Sequence, residues 1–257
     1  MEKIEIIDTN MKNIRDFGIC GFKNEKQEGY RKKLEWMEKR LAEGLRYKVL
    51  VSEDRKALGA IEYIPGKYAW RPVKAPEYMF IHCIFILKKD YKGKGYGTLL
   101  LEECLKDAKE SGMKGVAAVT SKGTWMAGSE LFLKNGFEVV DEAPPGFQLV
   151  AKKFADNVPD PEFAEKWDEN LEKYEKGLTI ITSGQCPASA KPVAEIPPVA
   201  EELYGLKAQI VEFDDKEDVQ NAGCPFGVFY IIYNGEVIAD HPISKTRFKN
   251  IMEKLLK

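Results

Sequence analysis

The stretch KKDYKGKGYGTLLLEECL, which runs from Lys88 to Leu105, places a glycine-rich turn directly before an apolar helix. Its three glycines stand at every second position and need a local reason, because a glycine inside a helix costs about 1 kcal/mol relative to alanine. Without a Cβ atom the backbone can close on an anion, and the amides at a helix N-terminus bind phosphate. Lys92 and Lys94 add positive charge. The stretch therefore predicts a phosphate-binding turn.

The segments on either side of this turn predict a strand–turn–helix unit. The run from Tyr78 to Leu87 is almost continuously apolar, which is typical of a central strand buried on both faces. The helix is expected from about Thr98 to Ser111, with Gly112 placed to end it. The glycine spacing matches neither a P-loop, which needs a following Gly-Lys-Ser/Thr, nor a dinucleotide fingerprint inside a βαβ unit.

The remainder of the N-terminal region predicts further strands and helices. A helix is expected after the possible cap at residues 8–10, and a second over residues 30–45, where apolar residues recur at helical spacing. A short helix is expected to end at Asn135-Gly136. Strands are predicted at 4–7, 47–53, 57–64, 115–121, 137–142 and 147–154.

Composition changes near residue 155, and a second unit begins after it. Prolines 159 and 161 mark a linker that opens a connecting helix running to about Lys176. The C-terminal part then alternates strands and helices, and Asn234-Gly235 between two apolar runs predicts a tight hairpin. We therefore expect a first domain at 1–155, a linker and connecting helix at 156–177, and a second domain at 178–257.

The overall composition limits the kinds of partner. The net charge of the 257 residues is −2, from 39 basic and 41 acidic side chains. The chain therefore has no excess of positive charge that would attract nucleic acid or an anionic membrane surface. No run of 18 apolar residues is present, and the N-terminus lacks a signal-peptide core. The five cysteines show no paired zinc spacing, so we expect no metal, no membrane or nucleic-acid partner, and a reducing cytoplasm.

The turn, read as Lys92-Gly93-Lys94-Gly95-Tyr96-Gly97, resembles the acetyl-CoA loop of the GNAT N-acetyltransferases, although the family prefers Gln or Arg where Lys92 stands. The stretch ELFLKNGFEVV resembles another family segment, and the likeness covers residues 1–154. It implies an α/β (α+β) fold with a mixed central sheet and acetyl-CoA as co-substrate. It also implies that pantetheine lies along Phe85, Ile86 and Leu87, and that phosphate binds Lys92, Gly93, Lys94, Gly95, Tyr96, Gly97 and Thr98.

Two positions depart from the family pattern. Phe132 stands where members often have a tyrosine that protonates the departing thiolate, and Trp125 stands where an asparagine is frequent. Phenylalanine cannot donate a proton, so another group does so or none is needed, since a thiol with a pKa near 8.5 leaves tolerably at neutral pH.

The catalytic candidates in the cleft that the resemblance implies are Cys83, His82 and Glu62. Each has a plainer alternative. His82 lies mid-strand and could be a core histidine, Glu62 could be a solvated carboxylate like Glu77, and Cys83 could be inert packing. A proton relayed by water fits the sequence equally well.

The turn after the first strand of the second unit, TSGQCPAS, resembles the active-site turn of thioredoxins and glutaredoxins. Cys186 precedes Pro187, but the second thiol of that motif is replaced by Ser189. The later CPFGVFYIIYNGEVI resembles the family's cis-proline strand and hairpin in an imperfect register. A helix N-terminus lowers a thiol's pKa, so Cys186 is a redox candidate with Cys224 as a distant partner. A thioredoxin-like fold kept for binding or dimerisation is an equal alternative.

The combination of the two regions resembles the YoaP-type acetyltransferases over nearly the whole chain. The resemblance implies an acetyl-CoA-dependent N-acetyltransferase that acts on an amine of a small molecule or peptide by direct attack. The alternative is a non-catalytic CoA-binding sensor coupled to a thiol-redox or thiol-binding domain. The amine and the oligomeric state cannot be read from the sequence.

Overall fold

The computed structural model describes residues 3–123, 125–164 and 166–257. The chain forms two compact units, each assembled from separate segments. The first unit comprises Met1–Asn24, Trp36–Ala69 and Val73–Phe163, and the second comprises Glu25–Glu35, Trp70–Pro72 and Ala164–Lys257. The second unit therefore includes two short segments from the N-terminal half of the chain.

The elements up to residue 163 are as follows: β1 (Ile4–Asp8), α1 (Ile14–Phe17), α2 (Glu28–Leu41), β2 (Arg46–Ser52), β3 (Ala57–Pro65), β4 (Val73–Lys74), β5 (Tyr78–Ile86), α3 (Tyr96–Glu110), β6 (Gly115–Ser121), α4 (Ser129–Lys134), β7 (Glu138–Ala143), β8 (Phe147–Lys153) and β9 (Glu162–Phe163). A large mixed sheet has the strand order β1-β2-β3-β5-β6-β8-β7. Its β5–β6 pair is parallel and its other pairs are antiparallel. This confirms the predicted α/β class and the mixed central sheet.

Helix α3 packs on one face of this sheet. Leu100, Leu101, Cys104 and Ala108 of α3 are all buried there. They share one apolar cluster with inward-facing residues of the strands, which include Ile61, Tyr63, Met79, Ile81, Ile84, Val116 and Ala118. The wide apolar face expected for this helix is thus its core-facing side.

Three element bounds differ from the sequence expectations. Helix α3 begins at Tyr96, two residues before the expected Thr98, so two of the glycine-turn residues are in its first turn. The helix expected at 30–45 ends at Leu41. Residues 162–163 form β9 and pair with β4, where a connecting helix was expected to begin. Short strand pairings between distant segments have no local sequence signal.

The C-terminal part of the second unit contains α5 (Trp167–Leu171), β10 (Leu178–Ser183), α6 (Ala190–Tyr204), β11 (Ala208–Phe213), α7 (Lys216–Gln220), β12 (Phe229–Tyr233), β13 (Glu236–Ala239) and α8 (Lys245–Leu255). The four-stranded sheet has the order β11-β10-β12-β13, with β10–β11 parallel and the other pairs antiparallel. Asn234 and Gly235 join β12 to β13 with positive φ at both residues, as the predicted hairpin requires.

Candidate functional site

The parallel strands β5 and β6 pair over only part of their length. Their register runs from Tyr78 opposite Gly115 to Ile81 opposite Ala118. Beyond that point β5 continues to Ile86 and β6 continues to Ser121, where β6 pairs with β8 alone. The end of β5 therefore presents main-chain groups on its β6 side that the sheet does not use.

The glycine turn follows this end of β5 after a short 3-10 turn at Lys89–Tyr91. Gly93 and Gly95 have φ of +75° and +84°, a left-handed conformation that favours glycine. A Cβ atom at either position would meet nothing within 4 Å, so the space beside the turn is open. At position 97 close packing favours glycine, because a Cβ atom there would lie 3.3 Å from the Leu131 side chain.

The N-terminus of α3 is suited to bind an anion. Gly95 is its N-cap and provides no side-chain hydrogen bond. The amides of the first helical turn lack intrahelical partners and carry the positive end of the helix dipole. Lys92 and Lys94 are exposed beside them, and the Lys94 ammonium lies 5.5 Å from the centre of the Tyr91 ring.

The expected pantetheine residues lead into this turn. Phe85 and Ile86 are partly buried, whereas the Leu87 side chain is 40% exposed. The Leu87 amide donates to the Leu58 carbonyl at 2.8 Å on the β3 side. Because successive amides of a strand point to opposite sides, the Ile86 amide faces the side that β6 leaves.

The three catalytic candidates lie together at a β-bulge. Glu62 is opposite Cys83, but Tyr63 is opposite Ile81, so His82 is the extra residue of β5. Glu62 Oε1 lies 3.3 Å from His82 Nδ1, and both side chains are fully buried. The expectation of a solvated Glu62 is therefore wrong, because the bulge places this carboxylate beside a buried imidazole.

Two aromatic rings pack on the His82 imidazole. The Trp36 and Phe80 rings approach the imidazole edge-on, with centroids at 5.9 and 5.8 Å. Cys83 is partly exposed.

Glu77, unlike the buried Glu62, pairs with Lys114 at the surface, as expected.

Tyr47 belongs to the same row, and the sequence analysis missed it. It lies opposite Glu62 across the β2–β3 pair, so Tyr47, Glu62 and Cys83 cross three adjacent strands. Its hydroxyl accepts the Cys20 backbone N–H at 2.9 Å, and burial raises the pKa of Tyr47 well above its ordinary value. Because tyrosine is common in strands, no local signal in the sequence singles it out.

The two departures from the family pattern have different surroundings. The Phe132 ring is buried and packs edge-to-face on Phe137 at 5.3 Å. Trp125 is exposed, with φ of +79°. Phe132 is therefore part of the core under α3.

Cys186 follows β10 in the second unit. Burial raises the pKa of its thiol, although N–H groups of Ala188 and Ser189 and the charges of Lys33 and Arg71 act to lower it. The expected lowering is thus outweighed by desolvation. Burial likewise raises the pKa of Cys224 to about 12.

Within the described ranges, no group of three or more His, Cys, Asp or Glu side chains is arranged to hold a metal ion. In the same residues, no helix is both long and apolar enough to cross a membrane.

Comparison with known proteins matches the two parts of the chain separately. Residues 11–137 match the Acetyltransferase (GNAT) family, and residues 208–250 match the YoaP-like family. Over 253 residues the chain is 29% identical to "Uncharacterized N-acetyltransferase YoaP" of Bacillus subtilis (strain 168), covering 97% of this chain and 98% of that protein.

Two solved structures are more distantly similar. A putative acetyltransferase from Acinetobacter baylyi ADP1 covers 62% of this chain and 98% of its own at 16% identity and a TM-score of 0.45. The second is the PaiA N-acetyltransferase from Thermoplasma acidophilum in complex with coenzyme A. The match covers 59% of this chain and 99% of that one, at 18% identity and a TM-score of 0.43.

Proposed function

The chain carries a GNAT acetyltransferase domain and a YoaP-like domain at its C-terminus, and from this premise we propose that it transfers the acetyl group of acetyl-CoA to an amine of a small molecule or peptide. The observation that carries the proposal is the end of β5, which separates from β6 and is followed within a few residues by a left-handed glycine turn at the N-terminus of α3. A cofactor with a pyrophosphate and a long polar arm fits these two features together.

The pyrophosphate binds at the glycine turn in this proposal. The amides of Tyr96, Gly97 and Thr98 point out of the first turn of α3, and Lys92 and Lys94 supply charge. The open space beside Gly93 and Gly95 allows the phosphate oxygens to approach the backbone. Pantetheine then lies along Phe85, Ile86 and Leu87 on the side of β5 that β6 leaves.

The thioester carbonyl is polarised by a strand amide. The Leu87 amide is not available for this role, because it donates to the Leu58 carbonyl. The neighbouring Ile86 amide takes this role, since it faces the cofactor side of β5. A fixed N–H group aimed at the developing oxyanion lowers the barrier without reorganisation.

The Glu62–His82 pair removes the proton from the amine, which attacks the thioester directly. A carboxylate held 3.3 Å from an imidazole on which aromatic rings pack can accept a proton and share it with the imidazole. Cys83 borders the site without forming a covalent intermediate. Phe132 cannot donate a proton to the departing thiolate. The CoA thiolate leaves without one, because its conjugate thiol has a pKa near 8.5.

The second domain is thioredoxin-like in this proposal. Two observations support this assignment. The sheet has the order β11-β10-β12-β13 with one parallel pair, and the Cys186 turn follows β10. We place the protein in the cytoplasm, because none of the five cysteines, all within the described residues, forms a disulfide.

The glycine turn provides the sharpest test of the proposal. Gly95→Glu should weaken acetyl-CoA binding at least tenfold, because a carboxylate would occupy the phosphate position at the helix N-terminus. Gly112→Glu is the matched control: Gly112 also has a positive φ, meets no atom at its Cβ position and lies just beyond the other end of α3.

Calorimetric titration with acetyl-CoA measures the affinity of the three proteins. CoA release with a panel of amines then identifies the acceptor. If both variants bind acetyl-CoA as tightly as the wild type, the glycine turn is not the phosphate site and the proposal is wrong.

A further inference from the structure

The first turn of α3 is in close contact with the end of helix α4. A Cβ atom at Gly97 would lie 3.3 Å from the Leu131 side chain, so α4 packs tightly on this turn. Asn135, the residue that ends α4, adds a hydrogen bond, because its Nδ2 donates to Thr98 Oγ1 at 3.3 Å. Helix α4 and its cap therefore contact two of the residues to which the proposed function assigns the pyrophosphate.

The direction of the Asn135–Thr98 hydrogen bond is fixed by a third group. The same Asn135 Nδ2 donates to the Leu131 carbonyl at 2.7 Å, and a carbonyl oxygen can only accept. The Asn135 atom between these two partners is therefore the amide nitrogen, which uses one hydrogen for each of them. Thr98 Oγ1 is consequently the acceptor, and the hydroxyl keeps its own proton for another partner.

The Asn135 amide is held in position by the anchored end of α4. Lys152 of β8 donates from Nζ to the Asn135 main-chain carbonyl at 2.7 Å. The backbone N–H groups of Asn135 and Gly136 donate to carbonyls of the last turn of α4, at 2.9 and 3.1 Å. A cation at the C-terminus of a helix also interacts favourably with the helix dipole. The donor to Thr98 is thus fixed before any ligand binds.

Among the described residues, no acceptor takes the proton of the Thr98 hydroxyl. A threonine in a helix often donates to the carbonyl three or four residues earlier. Here the carbonyl four residues earlier belongs to Lys94, outside the helix, and the Gly95 carbonyl accepts the Leu99 amide at 3.1 Å. Since the Thr98 side chain is partly exposed, its hydroxyl can donate to a bound ligand.

We propose that Asn135 is a positioning residue for the pyrophosphate of acetyl-CoA, because it holds the Thr98 hydroxyl as a donor to a phosphate oxygen. The inference rests on the proposed function and adds to it a residue outside the glycine turn. A hydrogen bond to a charged oxygen is stronger than one between neutral groups. A donor that is oriented in advance also loses less conformational entropy when the ligand binds.

Substitutions of Thr98 test the donor itself. Thr98→Val keeps the branched shape but removes the hydroxyl, and it should weaken acetyl-CoA binding about tenfold, as expected for a hydrogen bond to a charged group. Thr98→Ser keeps the hydroxyl and should bind acetyl-CoA as the wild type does. Calorimetric titration of the intact chain with acetyl-CoA measures the three affinities.

A double-mutant cycle tests whether Asn135 acts through Thr98. Asn135→Ala should weaken acetyl-CoA binding about threefold or more, which is typical of residues that share a hydrogen-bond network. In the Thr98→Val background the same substitution should have no further effect, because no hydroxyl remains to be positioned. A purely structural role of Asn135 predicts the same loss in both backgrounds.

Asn221→Ala is the matched control. Asn221 also ends a short helix, α7, and its Nδ2 donates to the Glu217 carbonyl four residues earlier at 2.8 Å, just as Asn135 Nδ2 donates to Leu131. The control removes the same kind of helix-end hydrogen bond without changing the partner of Thr98, so acetyl-CoA affinity should stay unchanged. Circular dichroism verifies that each variant folds.

Asn135→Asp provides a second variant if Asn135→Ala fails to fold, because it keeps the size of the side chain but cannot donate to Thr98 when ionised. A loss of affinity that is smaller or absent in the Thr98→Val background would support the proposal. Equal losses in both backgrounds, or a Thr98→Val variant that binds as tightly as the wild type, would overturn it and leave the proposed function intact. A wild-type chain that does not bind acetyl-CoA would overturn the proposed function and this inference with it.

Discussion

At the scale of single residues, Glu62 shows how far the environment of a side chain can differ from its expected one. A glutamate in a strand is most often solvated, yet this carboxylate is completely buried between Tyr47 and the His82 bulge. A buried carboxylate costs several kcal/mol unless it is paired, so such a residue usually has a function.

Glu62→Gln tests that function. The amide keeps the size of the side chain but cannot accept the proton of an amine, so we expect the rate of acetyl transfer to fall about 10²–10⁴-fold. Acetyl-CoA affinity should stay unchanged, because the glycine turn is intact. Glu77→Gln, at a carboxylate that pairs with Lys114, is the control and should retain the wild-type rate.

The rate is followed as CoA release with an identified amine, and affinity by calorimetry. A Glu62→Gln variant with full activity would exclude Glu62 as the base. The search would then turn to Cys83 or to a water-relayed proton.

At the scale of elements, a group of charges joins α3 to the sheet. Asp107 of α3 accepts a hydrogen bond from Tyr63 of β3 at 2.5 Å and pairs with Arg46 and Lys48 of β2 at 2.6 and 3.1 Å. Burial acts to raise the pKa of Asp107, but these three partners outweigh it and lower the pKa. The helix that carries the glycine turn is thus held by charge as well as by its apolar face.

Asp107→Asn should destabilise the fold by about 3 kcal/mol at neutral pH, near the low end for removing one partner of a buried pair, because Lys48 keeps Glu103 at 2.9 Å. The folded pKa of Asp107 lies below its unfolded value of about 3.9. Its contribution is therefore present above pH 4 and is lost as the pH falls through the folded value.

Urea unfolding at several pH values measures both effects. The stability difference between wild type and Asp107→Asn should shrink below pH 4. Glu103→Gln, whose carboxylate is a third exposed, should cost less than 1 kcal/mol. A constant difference down to the lowest accessible pH would contradict the assignment.

Local patterns predicted most elements, and the exceptions have a physical reason. The Asn234-Gly235 hairpin was confirmed, since a type I′ turn depends only on two residues that tolerate positive φ. The pairing of β4 with β9 could not be predicted, because two-residue strands carry no periodicity.

At the scale of the whole molecule, the second unit is not a continuous piece of chain. The segments Glu25–Glu35 and Trp70–Pro72 group with the residues after 163. The close packing of Gly29 on Pro187 and the Lys32–Glu212 pair belong to this unit. The domain boundary at 178 therefore stays a prediction that a truncated chain can test.

We expect residues 178–257, expressed alone, to unfold at a lower denaturant concentration than the same region of the intact chain, because the fragment lacks both upstream segments. Hydrogen exchange of the β10 and β12 amides, compared between fragment and intact chain, measures the difference. Equal protection would show that 178–257 is an independent domain.

The sequence by itself determined that a glycine turn stands before a helix with one apolar face, although the helix begins two residues earlier than expected. Glycine is the residue that adopts a left-handed φ without strain, and a helical apolar pattern buries one face wherever it packs. The expected cofactor residues, 85–87 and 92–98, lie close together in one segment of the chain, so the sequence could propose them together.

Only the tertiary structure decided which side chains meet. Tyr47, Glu62 and His82 come from three strands, and Arg71 donates to Gln185, the neighbour of Cys186, from a segment more than 100 residues away. Such encounters depend on strand register, on a one-residue bulge and on which segments share a compact unit. These are properties of the packed chain as a whole, because a shift of one residue would turn every side chain of a strand to the opposite face.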